Sequence, residues 1–285
     1  MKKDNTAHIN GYIDAIIDNA FEGKKSFLVK VATIEKYKDA AGEWQNKKTR
    51  HTVSILSNDK KFNKAILDAQ KDIQKNLENR ENEEYKPKVH RISVDGQLVN
   101  RTNETASGET YYNNMIVAQP EDVKLDAKLA EGEVCNFAEF KGNIAHIDLK
   151  DEFGVIRVGT HYFIPGESTN FKGEVKPYTE ATSYAELRVS ANLMPKTFEA
   201  LKNGELEVGD LVSVRGQMHN ASFTDSKGVN QNKIVVDARK FDLVAKKGQK
   251  KTEAEEKTEK KAEAKKETKK AAPKKATARK KGVTM

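Results

Sequence analysis

Val94-Asp95-Gly96-Gln97-Leu98 recurs as Val214-Arg215-Gly216-Gln217-Met218, and in both copies another glycine follows twelve residues after the first, at Gly108 and Gly228. Each of these loops leads into an apolar run, Met115-Ile116-Val117 or Ile234-Val235-Val236. Toward the N-terminus, Val29-Lys30-Val31-Ala32-Thr33 matches Ile156-Arg157-Val158-Gly159-Thr160, and Ile9-Asn10-Gly11-Tyr12-Ile13 matches Phe140-Lys141-Gly142-Asn143-Ile144. Four matched segments in one order mark a duplicated domain. The offset falls from 131 at the Ile9 segment to 120 at the Val94 segment, so the second copy is the shorter. The expected boundaries are a disordered start at 1–5, domains at 6–120 and 134–244, a polar linker at 121–133 and a tail at 245–285.

Within a copy the patterns are those of strands. Ser26–Thr33, Thr52–Leu56 and Val89–Val94 are alternating or rich in β-branched residues and are bounded by turn formers. One helix stands out. Asn58 or Asp59 can cap it, and Phe62, Ile66, Ala69, Ile73 and Leu77 follow at helical spacing. The second copy has only Pro195–Leu201 in its place, with proline at a favourable helix start. Three strands, a helix, a strand, a long hairpin and a last strand is the order of a five-stranded OB-fold barrel, whose loops line a cleft for nucleic acid or oligosaccharide. The expected fold is all-β with short helices: two tandem OB barrels plus a disordered or partly helical basic tail. A pair of small β-sandwiches would not need a helix at that place.

Leu206-Glu207-Val208-Gly209-Asp210-Leu211-Val212-Ser213-Val214-Arg215-Gly216-Gln217-Met218, followed by the hairpin tip Thr224–Gly228, resembles the entry into the fourth strand of the bacterial single-stranded DNA-binding proteins. In the first copy the resemblance rests on Gly11, the Lys30 strand, the Trp44 loop and the hairpin from Gly96 to Val117. It implies sequence-independent coating of single-stranded DNA in replication, recombination or repair. It also implies a homodimer, since relatives commonly present four barrels and an open barrel edge can pair with its own copy across a two-fold axis. Family members usually finish with a short acidic peptide that docks partner proteins. This chain finishes Lys280-Lys281-Gly282-Val283-Thr284-Met285, so docking of replication or repair proteins through such a peptide is not expected.

Single-strand binding needs cations to follow phosphates and exposed rings on which bases stack. With Val29, Val31, Ile156 and Val158 turned inward, the two-residue period sends Lys30 and Arg157 outward, and His161 and Phe163 share the parity of Arg157. The loop after the second strand supplies Lys36, Tyr37, Trp44, Lys47, Lys48 and Arg50 in the first copy, and Phe171, Lys172, Tyr178 and Tyr184, with Arg188 beyond, in the second. The long hairpins add Arg101, Tyr111 and Tyr112, and then Arg215, His219, Phe223 and Lys227. Each has a plainer reading. Trp44 can anchor its own loop, hairpin aromatics can pair across strands, Tyr162 has core parity, and a lone lysine is ordinarily a solvated charge.

The remaining composition excludes other classes. The chain has 285 residues, 51 Lys+Arg against 43 Asp+Glu, and one cysteine, Cys135, so neither an internal disulfide nor a cysteine-pair zinc site is available. No run approaches the ~20 apolar residues of a membrane span, and Met1–Thr6 lacks the apolar core of a signal peptide. A cytoplasmic, nucleoid-associated protein is expected. Gly23-Lys24-Lys25-Ser26 follows Asp18 where a phosphate-binding loop needs glycine. Ser93-Val94-Asp95-Gly96 lacks the lysine of nucleotidyl-transferring ligases, and the six histidines show no metal spacing. No enzyme activity, cofactor or metal is expected.

Residues 246–285 carry 16 Lys+Arg and six Glu, so the net excess of positive charge lies in a tail with no aromatic residue. Such a tail cannot form a core. Glu253 with Lys257 and Glu256 with Lys260 support a nascent helix, whereas the lysine-rich end interrupted by Pro273 resembles an arm that binds polyanions such as duplex DNA. An OB-fold RNA binder, and a protein-interaction scaffold with a DNA-tethering tail, stand as the alternatives.

Overall fold

The computed structural model describes residues 4–21, 24–38, 42–104, 110–126, 136–169, 175–224, 228 and 230–248. Its elements are β1 (Asn5–Phe21), β2 (Lys24–Lys38), β3 (Trp44–Ser57), α1 (Lys60–Glu78), β4 (Arg91–Glu104), β5 (Thr110–Ala118), a 3-10 turn (Pro120–Asp122) and β6 (Val123–Leu125). The second copy has β7 (Asn136–Leu149), β8 (Phe153–Thr169), β9 (Val175–Ser190), α2 (Pro195–Lys202), β10 (Leu211–Thr224) and β11 (Asn230–Ala245).

Alternation makes the barrels. Val29, Val31, Val53, Ile55, Val94 and Ile116 are fully buried in the first, and Ile156, Val158, Leu187, Val212, Val214 and Val236 in the second. Each such side chain contributes roughly 1.5–3 kcal/mol by leaving water. The first barrel runs β1-β2-β3-β5-β4 and closes through β1 against β4. The second runs β7-β8-β9-β11-β10 and closes through β7 against β10. Among the described residues each barrel has one parallel pairing, a short one, between β3 and β5 or between β9 and β11. The repeated glycines stand where strands cross most closely. A Cβ on Gly142 would overlap the carbonyl oxygen of Gly159, and one on Gly216 that of Asp237, as Gly11 and Gly96 would meet Ala32 and Val117. Matching bulges interrupt the register between Ile13 and Ala15 and between Ile144 and His146, bending the first strand of each barrel.

Asp59 caps α1 by accepting from the backbone N–H groups of Lys61 and Phe62, at 2.8 and 3.0 Å. Ile66 and Ala69 enter the core, and Gln70 donates to the Ile16 carbonyl at 3.0 Å. α2 starts at Pro195 and buries Phe198 and Leu201. The segment read as a linker from 121 starts as structure instead. β6 pairs with β4, Val123 is buried, and Asp126 receives His90, whose other ring nitrogen lies 3.1 Å from Asp72 of α1. Strand β4 begins at Arg91 rather than Val89, which is exposed. At the far end the ordered chain runs past Val244. Buried Asp210 accepts from the backbone of Lys247 at 2.9 Å and from Lys246 Nζ at 3.0 Å. Burial opposes its charge, but the donors outweigh it and hold its carboxyl below the usual range.

The two barrels meet along β1 and β7, which pair antiparallel from Asn5↔Phe140 to Ile9↔Asn136. Asn136 is the second-copy counterpart of Asn5, and Phe140 that of Ile9. The seam is therefore self-complementary about Ala7↔Ala138. The edge expected to recruit a second chain is thus occupied within this one.

Candidate nucleic-acid interface

The duplication repeats its polar clasps on either side of this seam. Asn5 accepts from the Leu98 backbone N–H at 3.0 Å and donates to the Leu98 carbonyl at 2.7 Å and to Thr160 Oγ1 at 3.3 Å. Asn136 donates to the Met218 carbonyl at 3.0 Å and to Thr33 Oγ1 at 3.1 Å. Farther out, Asn100 donates to the Tyr184 carbonyl at 2.9 Å, and its counterpart Asn220 donates to the Arg50 carbonyl. These asparagines fix one barrel against the other, and composition alone gave no sign of them. Their recurrence at matched positions of the two copies is the signal that could have found them.

Two pockets open on the outer faces so aligned. The first, about 970 Å³, is lined by Asp14, Lys30, Lys47, Lys48, Arg50 and Thr52 of the first barrel and by Asn220, Asn232, Lys233 and Ile234 of the second. The other, about 620 Å³, is lined by His146, Arg157, Tyr184, Glu186, Phe223 and Lys233 with Asn100 and Asn114 of the first barrel. They adjoin at Asn114, Lys233 and Ile234. Barrel closure positions their cations: Lys30 and Arg157 stand on matching sites of β2 and β8, each beside its cross-strand neighbour, Thr52 or Glu186.

Lys30 Nζ donates to Thr52 Oγ1 at 2.7 Å. Lys48 Nζ and Arg50 Nε lie 3.0 and 2.6 Å from the two oxygens of Asp14. Burial works against ionising Asp14, but the Arg50 and Lys48 hydrogen bonds outweigh it and hold its carboxyl below the ordinary range. Glu186 faces Arg157 at 4.0 Å and pairs more closely with Lys233. The Lys233 ammonium also lies 5.0 Å from the centre of the Phe223 ring. Tyr184 is 53% exposed.

Other expected contacts lie elsewhere. Trp44, 68% exposed, starts β3 opposite Lys38 and lines neither pocket. His161 is exposed on the outer face of β8. Arg188 covers the Phe153 ring at 4.5 Å, and Arg215 covers Phe137 at 4.3 Å on the face of the β1–β7 seam. His219 is mostly covered, 3.4 Å from Asp237 and near enough to His51 for its charge to matter there. Lys36, Tyr37, Arg101, Tyr111, Tyr112, Phe163 and Tyr178 have their backbones in strands, but their side chains fall outside the described residues. Phe171, Lys172 and Lys227 lie wholly outside them, as does the tail beyond 248. Among the described residues no helix is long and apolar enough to cross a membrane, and no group of three or more metal-ligating side chains gathers.

No protein-family model and no curated protein sequence matches the chain. Solved structures do. A deletion mutant of the single-stranded DNA binding protein from Thermus aquaticus aligns over 87% of this chain and 98% of its own, with a TM-score of 0.52 and 15% identity. The wild-type form of that protein aligns over 89% and 99%, with a TM-score of 0.51 and 15% identity. The chain has the tandem OB fold of the two-domain single-stranded DNA-binding proteins.

Proposed function

We propose that this protein binds single-stranded DNA without sequence preference and protects it during replication, recombination or repair. The observation that carries this reading is the pair of adjoining pockets, in which Lys30, Lys48, Arg50, Arg157 and Lys233 accompany Tyr184 and Phe223 across both barrels. Cations can follow the phosphates while the rings accept bases, an arrangement that tolerates any sequence because every base has a π-face. The fold, shared with proteins named for single-stranded DNA binding, supports the same role. On this reading the protein is a binding protein rather than an enzyme, and acts at the nucleoid.

Titration with oligo-dT, oligo-rU and duplex tests it. Preferential, length-dependent binding of oligo-dT supports the reading; preference for oligo-rU would make this an RNA binder. The basic tail is assigned a sequence-independent role on duplex. A chain ending at Lys247 keeps its single-strand affinity and loses duplex affinity and steepness of salt dependence. Loss of oligo-dT binding in that chain would favour the scaffold reading, with DNA held by the tail alone.

The assembly is assigned as a homodimer presenting four barrels, which raises the effective concentration of sites along one strand. Since β1 is already paired with β7, the dimer must use another face. Light scattering without DNA decides it: a mass near 31.9 kDa overturns the dimer, and one near twice that supports it.

A further inference from the structure

The proposed cation path is already partly occupied by the protein's own carboxylates. Asp14 presents one oxygen to Lys48 Nζ at 3.0 Å and the other to Arg50 Nε at 2.6 Å, the two donors a phosphate would use. Across the seam Glu186 divides its oxygens between Arg157 and Lys233. The two carboxylates were not inherited as a pair from the duplication. The counterpart of Asp14 is Ala145, and that of Glu186 is Thr52. Each copy therefore has one acid among its pocket cations, at a different position.

We infer that Asp14 and Glu186 are intramolecular competitors of the phosphate backbone that set the affinity and salt dependence of single-strand binding. This rests on the proposed function. A strand entering the first pocket meets Lys48, Arg50 and Asp14 with a combined charge of +1 rather than +2, and must displace the carboxylate to reach either donor. The second pocket imposes the same exchange on Arg157 and Lys233. Asp14 and Glu186 are largely covered, at 25% and 13% exposure, but Lys48, Arg50 and Arg157 keep an open side. A phosphate can therefore exchange with the carboxylates when its neighbouring base stacks on Tyr184 or Phe223, and the pairs close again when it leaves. A bound strand is thereby kept exchangeable.

Asp14→Asn and Glu186→Gln in the full chain test this, with oligo-dT affinity measured from low to high salt. Each should tighten binding about three- to tenfold at low salt, with the gain shrinking as salt rises and the log–log salt slope steepening by about 0.7. Asp242→Asn, which changes the net charge equally but lines neither pocket, should leave both quantities near wild type. Asp14→Ala, matching Ala145, provides a second variant should the amide perturb the bulge. Affinity that is unchanged or weakened in folded variants, while wild type binds oligo-dT, overturns the competitor role alone. An equal gain in Asp242→Asn also overturns it, in favour of a net-charge effect. Failure of the wild-type protein to bind oligo-dT overturns the proposed function, and this inference falls with it.

Discussion

Ala7 lies directly opposite Ala138, the residue that holds its own position in the second copy. Both are buried, and their small side chains bring β1 and β7 into register at the centre of the seam. The two barrels are thus related as two subunits of a symmetric dimer would be, within one chain. The asparagine clasps at the seam follow in pairs, Asn5 with Asn136 and Asn100 with Asn220.

The first prediction concerns those pairs. Asn5→Ala removes the partner of both Leu98 backbone groups, and Asn136→Ala removes a partner of the Met218 carbonyl. Buried polar groups left without partners cost about 1–3 kcal/mol. Each variant should unfold at correspondingly lower denaturant, measured by chemical denaturation, with Asn5→Ala the more damaging.

Close approach of backbones gives the second. Gly142→Ala places a methyl against the Gly159 carbonyl, where no flexible side chain can yield. It should cost about 1–3 kcal/mol or more. Gly204→Ala, at an open turn with nothing nearby but a φ of +71°, should cost only the strain of that conformation, about 1 kcal/mol. Thermal unfolding of the two variants compares them.

His51 provides a pH prediction. Burial, assisted by the His219 charge, pushes its pKa down to about 4, so the folded protein holds it neutral at pH 7. The unfolded chain takes up the proton near pH 6.5. Stability is therefore full above about 6.5 and falls as pH drops toward 4, by an amount on the order of 3 kcal/mol. Paired carboxylates such as Asp14 and Asp210 add losses at lower pH, so the comparison is made between about 6.5 and 5, where the difference between wild type and His51→Gln reports this histidine. Denaturation across that window should show a decline that His51→Gln flattens.

Trp44 supplies an optical test of the binding face, because it is the only tryptophan and is 68% exposed. If bases reach the tip of the β2–β3 hairpin, oligo-dT quenches its fluorescence and Trp44→Ala weakens binding by ~1–3 kcal/mol. Unchanged emission at saturation would remove Trp44 from the binding face.

The barrels were legible in the sequence because their determinants are local and were written twice. The alternation of Val29-Lys30-Val31 and Ile156-Arg157-Val158 set the inward and outward faces, and the capped run from Asp59 set α1, since burial of one side of a strand or helix imposes its period directly. Which edge each barrel would cover was not legible. Asn5 and Asn136 read as polar strand ends, and only the tertiary structure buries them and gives their amides partners, Leu98 of β4 and Thr160 of β8 for Asn5, Met218 of β10 and Thr33 of β2 for Asn136. The same holds for the cations. Sequence parity placed Lys30 and Arg157 on the outer surface, but the carboxylate facing Arg50 comes from a bulge in β1 and is 36 residues distant in the chain. Arg215 over Phe137 and His219 beside His51 are likewise set by contacts between elements far apart in sequence. Strand period is a property of neighbouring residues; the partner of a buried amide or a surface charge is fixed only when distant strands meet.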